Sequence, residues 1–140
     1  MPYDYYGESP QIVLSVIVPA YNEEHTIAEV IKRVCNVSVS KEVIVVDDGS
    51  TDKTGQILQQ ITRNYNITIV AHDGNFGKCK AIRTGLSYAS GDIVIIQDAD
   101  LEYNPRDYSA LITPIITGET NVVYGSRNLV NNPSGKRVYK

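Results

Sequence analysis

The chain has 140 residues, 42% hydrophobic and 21% charged, a balance that suits one ordinary globular domain with a real core. A formal net charge of −3 excludes a broad nucleic-acid footprint, so any phosphate must be held by local arrangement rather than by a global positive field. Cys35 and Cys79 belong to no C-x-x-C pattern and read as reduced structural thiols. No apolar run reaches membrane-spanning length, and Met1–Pro10 lacks a basic start and an apolar stretch, so a cytoplasmic protein is expected, with peripheral contact at a membrane left open.

Met1–Gln11 is rich in Tyr, Pro and Gly and reads as a flexible arm. Ile12–Val18 (IVLSVIV) is the first expected strand, and Pro19, which cannot donate to a ladder, is expected to stop it. A helix follows, with Ile27, Val30, Ile31 and Val34 forming one apolar stripe. Glu23 and Glu24 suit its positive end, and for Glu24 that helix-start role is the preferred reading. Glu42–Val46 (EVIVV) is the second strand and runs into Asp47–Asp52, where Gly49 supplies a tight turn. Ser50 or Thr51 is expected to cap the next helix, which carries Ile57, Leu58 and Ile61.

Ile67–Val70 is a short third strand, and His72–Lys78 is a glycine-punctuated loop. The helix after it has Ile82, Gly85, Leu86 and Ala89 on one face. In Gly91–Glu102 (GDIVIIQDADLE), four β-branched residues, Ile93–Ile96, predict a strand buried on both faces. Asn104-Pro105 is an N-cap and first-turn proline for a helix bearing Tyr108, Leu111, Ile112 and Ile115, which Pro114 kinks or ends. Asn121–Tyr124 is a last short strand, closed by Gly125-Ser126-Arg127, and Asn128–Lys140 reads as a loop.

Alternating strands and helices predict an α/β fold, a mostly parallel sheet between helical layers, with the carboxyl ends of its strands along one edge. Ligands of open α/β sheets bind at that edge. The polar clusters Tyr21-Asn22-Glu23, Asp47-Asp48, Asp73–Lys78, Asp98–Glu102 and Arg127 all fall at such strand ends. Extended backbone would send Asp98 and Asp100 to the same side, across small Ala99. Two carboxylates that close repel unless a cation lies between them. Mg²⁺ or Mn²⁺, held by Asp98, Asp100 and Glu102 and completed by a diphosphate, is the economical account, and a solvated acidic turn is the plain alternative. Asp47 could accept from a base or ribose, Tyr21 and Pro19 offer flat walls, and Arg127 or Lys78 could meet phosphate.

VIVPAYNEE, VIVVDDGSTDKT, GNFGK, GDIVIIQDADLEY and VVYGSR, in that order from Ser15 to Arg127, resemble the family 2 nucleotide-sugar glycosyltransferases. The most similar branch holds dolichyl-phosphate mannose synthase and the polyprenyl-phosphate glycosyltransferases. The resemblance implies the GT-A fold, a three-layer αβα sandwich, over residues 12–127. It further implies that Pro19, Tyr21, Glu23, Val45 and Asp47 line the nucleotide pocket, and Ala20 and Lys78 are expected to bind the nucleotide sugar with them. Asp98, Ala99 and Asp100 would meet ribose, diphosphate and metal, and Arg127 would lie near the diphosphate or acceptor phosphate. Asp98, Asp100 and Arg127 would then carry catalysis. The mannose synthases carry Gln where this chain has Glu102.

The implied reaction is metal-dependent inverting transfer of a hexose from GDP-mannose or UDP-glucose to a polyprenyl or dolichyl phosphate at a membrane surface, with a homodimer left open. Members of the family run on past the G-S-R strand, so 128–140 reads as a loop cut short before the acceptor region. A fragment or pseudo-enzyme that binds nucleotide sugar without transfer is the first alternative. A receiver-type signalling domain is the second, although Pro-Ala-Tyr-Asn stands where its acidic pair belongs. No G-x-G-x-x-G follows the first strand, which excludes a dinucleotide-dependent oxidoreductase.

Overall fold

A computed structural model of the chain describes residues 11–125; the amino-terminal arm up to residue 10, Arg127 and the Asn128–Lys140 loop lie outside the described residues. The chain divides into two compact units, with the boundary between Asn104 and Pro105.

In the first unit the order is β1 (Leu14–Ala20), α1 (Ile27–Cys35), β2 (Lys41–Asp47), α2 (Thr54–Ile61), β3 (Thr68–Ala71), α3 (Lys78–Tyr88) and β4 (Ile93–Ile96). The four strands form one parallel sheet in the order β3-β2-β1-β4. A receiver domain has its second strand outermost and its third beside the first, so this order excludes that alternative.

Register explains which residues share a face. Ile17 pairs with Ile44 and with Ile96, so these side chains rise from the same side of the sheet. On that side α3 comes close, because its buried residues are Ala81 and Gly85. A Cβ at Gly85 would stand 2.4 Å from Ile17 Cγ2, so only glycine permits this approach. Ile44, Val46 and Ala81 form a buried cluster there, joined by Val70 and Ala89. The other face carries Val16, Val18, Val43 and Val45, all buried, with the stripes Ile27-Val30-Ile31-Val34 of α1 and Leu58-Ile61 of α2 on the helices that flank it.

Four expectations for this unit are corrected. The α3 stripe is not Ile82, Gly85, Leu86 and Ala89, since Leu86 is exposed and Ala81 is buried. β4 is not buried on both faces: among the described residues it is an edge strand, α3 lies over β1 and β2, and Val94 and Ile96 are left about two-fifths exposed, at 40% and 38%. Pro19 lies inside β1. Ala20 C=O accepts from Asp48 N–H on the β2 side, whereas Ile17 C=O accepts from Gln97 N–H on the β4 side. Backbone direction alternates, so Pro19 turns its missing donor toward the β4 side, beyond the end of that strand, and the ladder loses nothing.

The fourth correction concerns the start of α2. Neither Ser50 nor Thr51 caps it; Thr54 N–H is met instead by Asp52 Oδ1 at 2.9 Å. Ser50 and Thr51 turn back to Asn22, after β1. Asn22 N–H donates to Ser50 Oγ, and Asn22 Oδ1 accepts from Thr51 N–H at 2.8 Å. Glu24, just before α1, closes the same junction by accepting from Lys53 N–H at 3.0 Å.

The second unit holds a 3₁₀ turn, Pro105–Asp107, and α4, Tyr108–Ile116. The proline starts the short turn, so Asp107 rather than Asn104 stands at the N-cap position of α4. Pro114 lies inside the helix, which ends two residues later at Ile116 and is closed by Gly118 at φ 76°. Gly118 N–H bonds Ile115 C=O and Glu119 N–H bonds Pro114 C=O, the two reverse bonds of a glycine-ended helix. The expected strand Asn121–Tyr124 does not form: Thr120 Oγ1 takes both polar groups of Val122, accepting its N–H and donating to its C=O, which replaces a ladder.

Candidate functional site

Because the strands are parallel, their carboxyl ends share one edge, and a cavity of about 350 Å³ opens there. It sits where the strand order reverses. The chain leaves β1 toward β2 and β3, then returns to the far side of β1 with β4, and the loops after β1 and β4 part. Pro19, Ala20, Tyr21 and Glu23 line it from β1, and Asp98, Ala99 and Asp100 from β4. Asp48 follows β2, and Asn75, Gly77, Lys78 and Ala81 complete the wall at the start of α3.

Of the expected binding residues, Pro19, Ala20, Tyr21, Glu23, Lys78, Asp98, Ala99 and Asp100 are therefore brought together. Tyr21 is 42% exposed, enough to offer a ring face to a planar ligand. Glu23 is oriented by Thr26, whose hydroxyl donates to Glu23 Oε2 at 2.9 Å. Lys78 Nζ stands 2.5 Å from Asp98 Oδ1, so the cavity carries an ammonium beside its carboxylates.

Two expected residues stand elsewhere. Val45 is fully buried in β2, between Val18 and Ile69. Asp47 is also buried and its Oδ1 accepts from Ser50 N–H at 3.0 Å, so it shapes its own turn. Its neighbour Asp48 reaches the cavity instead, since consecutive residues at a strand end point to opposite sides. Burial pushes the Asp48 carboxyl up, but hydrogen bonds from His72, Phe76 N–H and Gly77 N–H outweigh it and hold the group below the usual carboxylate range. The sequence signal for Asp48 was its place beside Asp47; that for Asn75 and Gly77 was the GNFGK loop.

Asp98 and Asp100 line the same cavity, but not as residues of one extended strand. β4 ends at Ile96, and Asp98–Leu101 forms a turn with Leu101 at φ 65°. Gln97, 1% exposed, anchors it by donating from Nε2 to the carbonyls of Asp98 at 3.1 Å and Tyr103 at 3.3 Å. The turn brings Glu102 N–H back to Asp100 Oδ1 at 3.1 Å. Glu102 does not line the cavity. Among the described residues no three His, Cys, Asp or Glu side chains form a metal-holding group, so the expected Asp98-Asp100-Glu102 triad is not assembled. The two aspartates fit a cation that arrives with a diphosphate, because Mg²⁺ and Mn²⁺ sites commonly use one or two carboxylates and take their other oxygens from phosphate and water.

No helix among the described residues is long and apolar enough to cross a membrane.

Residues 15–140 match the family model "Glycosyl transferase family 2". The chain is 34% identical over 116 residues to a dolichol-phosphate mannosyltransferase of Pyrococcus furiosus, covering 81% of this chain and 33% of that protein. It is 36% identical over 106 residues to an undecaprenyl-phosphate 4-deoxy-4-formamido-L-arabinose transferase of Edwardsiella ictaluri, covering 71% of this chain and 32% of that one. The chain thus spans about a third of the length of the curated relatives it matches. Among solved structures, a mannosyltransferase from Pyrobaculum calidifontis in complex with GDP-Man and Mn²⁺ matches with TM-score 0.64 and 35% identity, over 69% of this chain and 30% of that one. Glucosyl-3-phosphoglycerate synthase from Mycobacterium tuberculosis in complex with Mn²⁺, UDP and glucosyl-3-phosphoglycerate matches with TM-score 0.65 and 33% identity, over 77% of this chain and 41% of that one. These neighbours are nucleotide-sugar transferases of the GT-A fold. The chain belongs to glycosyl transferase family 2.

Proposed function

We propose that the cavity binds a nucleotide sugar together with Mg²⁺ or Mn²⁺, and that the protein transfers the hexose to a polyprenyl phosphate at a membrane surface. The observation that carries this reading is the meeting of Asp98, Asp100 and Lys78 with Tyr21 and Asp48 at the reversal of strand order. Both named relatives act on polyprenyl-type phosphates, and two structural neighbours hold Mn²⁺ with a nucleotide.

In this reading Tyr21 and Pro19 flank the base, and Asp48, in the position expected of Asp47, accepts from a base N–H or a ribose hydroxyl. Asp98 and Asp100 hold the cation, which when bound neutralises charge on the departing diphosphate. Lys78 supplies a second positive charge from the start of α3, and Arg127, outside the described residues, is the expected phosphate partner further on. An acceptor phosphate is anionic at neutral pH, so its attack on the sugar needs no strong general base, and electrostatic stabilisation carries the rate.

The test is binding of GDP-mannose and UDP-glucose with and without Mn²⁺, followed by transfer to a short polyprenyl phosphate. Metal-dependent binding lost in Asp100→Asn, together with product formation, supports the proposal. Binding without transfer favours the donor-binding alternative, and flat titrations with every donor overturn both.

A further inference from the structure

His72 is absent from the cavity wall, yet it links two elements that build it, the end of β2 and α3. Its Nδ1 stands 2.6 Å from Asp48 Oδ1, after β2, and its Nε2 stands 2.9 Å from Thr84 Oγ1, on α3. The ring is only 11% exposed and meets Phe76 edge-on, with centroids 5.5 Å apart. Asp48 Oδ1 also accepts from Phe76 N–H at 3.0 Å, and Oδ2 accepts from Gly77 N–H at 2.7 Å.

These contacts dictate the proton positions. An ionised carboxylate only accepts, so Nδ1 of His72 carries a proton. In the neutral ring Nε2 then accepts the Thr84 hydroxyl proton. A carboxylate has about four acceptor positions, of which the donors from His72, Phe76 and Gly77 fill all but about one. With two donors on Oδ1, the remaining position is on Oδ2, the oxygen that also meets the N–H of Gly77 in the cavity wall.

We propose that His72 is a positioning residue for the nucleoside end of the donor. By donating from Nδ1 it directs the last acceptor position of Asp48 into the cavity, and through Thr84 it ties the middle of α3 to the end of β2. It touches no ligand itself. This inference rests on the reading of the cavity as a nucleoside-diphosphate site.

The test compares the affinity of GDP and UDP, each with Mn²⁺, for the wild-type chain and for His72→Leu, His72→Asn and Thr84→Val. Asparagine returns an N–H near the Nδ1 position and nothing at Nε2. The expected result is about tenfold weaker binding in His72→Leu, recovery to within about threefold in His72→Asn, and a small change in Thr84→Val. Nitrogen NMR of the ring in the wild-type chain is expected to show Nδ1 as the protonated nitrogen of the neutral form. Wild-type binding that His72→Leu leaves unchanged overturns this inference alone, as does an asparagine variant that melts like wild type but binds like leucine. Should His72→Leu fail to fold, the ring tautomer decides, and a neutral ring protonated at Nε2 rejects the proposal. A wild-type chain that binds neither nucleoside diphosphate overturns the reading of the cavity and this inference with it.

Discussion

Lys78 and Asp98 form an ion pair in the cavity wall, with Nζ 2.5 Å from Oδ1. An ammonium and a divalent cation would compete for that same oxygen, while both attract a diphosphate. Lys78→Met is therefore expected to bind Mn²⁺ alone about threefold more tightly and UDP with Mn²⁺ about tenfold more weakly. Calorimetric titration of each ligand separates the two effects. Changes of the same sign in both would contradict the competition.

Asn22 makes the junction of the first two strand-end loops. At φ 52° it adopts a left-handed conformation, and its side chain accepts from Thr51 N–H at 2.8 Å and Asp52 N–H at 3.3 Å. Asn22→Ala loses these bonds and puts an unfavourable residue in that conformation, so a loss of about 2 kcal/mol is expected in urea unfolding. Asn22→Gly should recover the backbone part and not the rest. Equal stability of the two variants would show that backbone conformation contributes nothing.

The opposite end of the sheet is held by Glu42, and its carboxylate confers a pH dependence. The Ser15 hydroxyl, then Ser90 N–H, hold the Glu42 carboxyl below its ordinary value, against a smaller opposing effect of burial. A depressed folded pKa contributes stability that is present above the unfolded value, about 4.3, and lost as pH falls through the folded one. Asp48 and Asp52 are lowered too, so they act with the same sign. Glu42→Gln should thus be less stable at neutral pH and show a shallower loss below about pH 4.3, read from melting temperature against pH. An unchanged acid slope would remove Glu42 from the account.

Two glycines are irreplaceable for different reasons. Gly49 combines φ 70° with the Gly74 backbone, which a Cβ would meet at 2.4 Å. Gly49→Ala is expected to cost about 3 kcal/mol and to disturb the loop that carries Asn75. At Gly85 the obstacle is Cγ2 of Ile17, so Gly85→Ala should cost about 1–2 kcal/mol, with Ile17→Ala, which removes that carbon, relieving part of it. Chemical denaturation of the double variant checks the relief, and strict additivity would deny the contact.

The parallel α/β architecture was legible because buried parallel strands are uninterrupted apolar runs and α1 has a clean stripe: Ile27, Val30, Ile31 and Val34 are all buried. The edge that bears the cavity was legible for the same reason, since alternation of strands and helices forces all carboxyl ends to one side. Less legible were residues whose role depends on a partner far along the chain. Ser50 and Thr51 look like helix caps until Asn22 stands opposite them. His72 looks like a loop residue until Asp48 and Thr84 close on its two nitrogens.

The alternation of strands and helices through β4, and the sheet edge where the polar clusters lie, could be read from the chain alone, because periodicity and strand-end position are local properties. The folded chain was needed to show that Asp48 rather than Asp47 faces the cavity, that Glu102 stands outside its wall, and that Pro19 sits within β1 at no cost. Each of these turns on which side of a strand a group emerges and what lies across from it. That is fixed by register and by the turn at Leu101, and neither is encoded in any short stretch of residues.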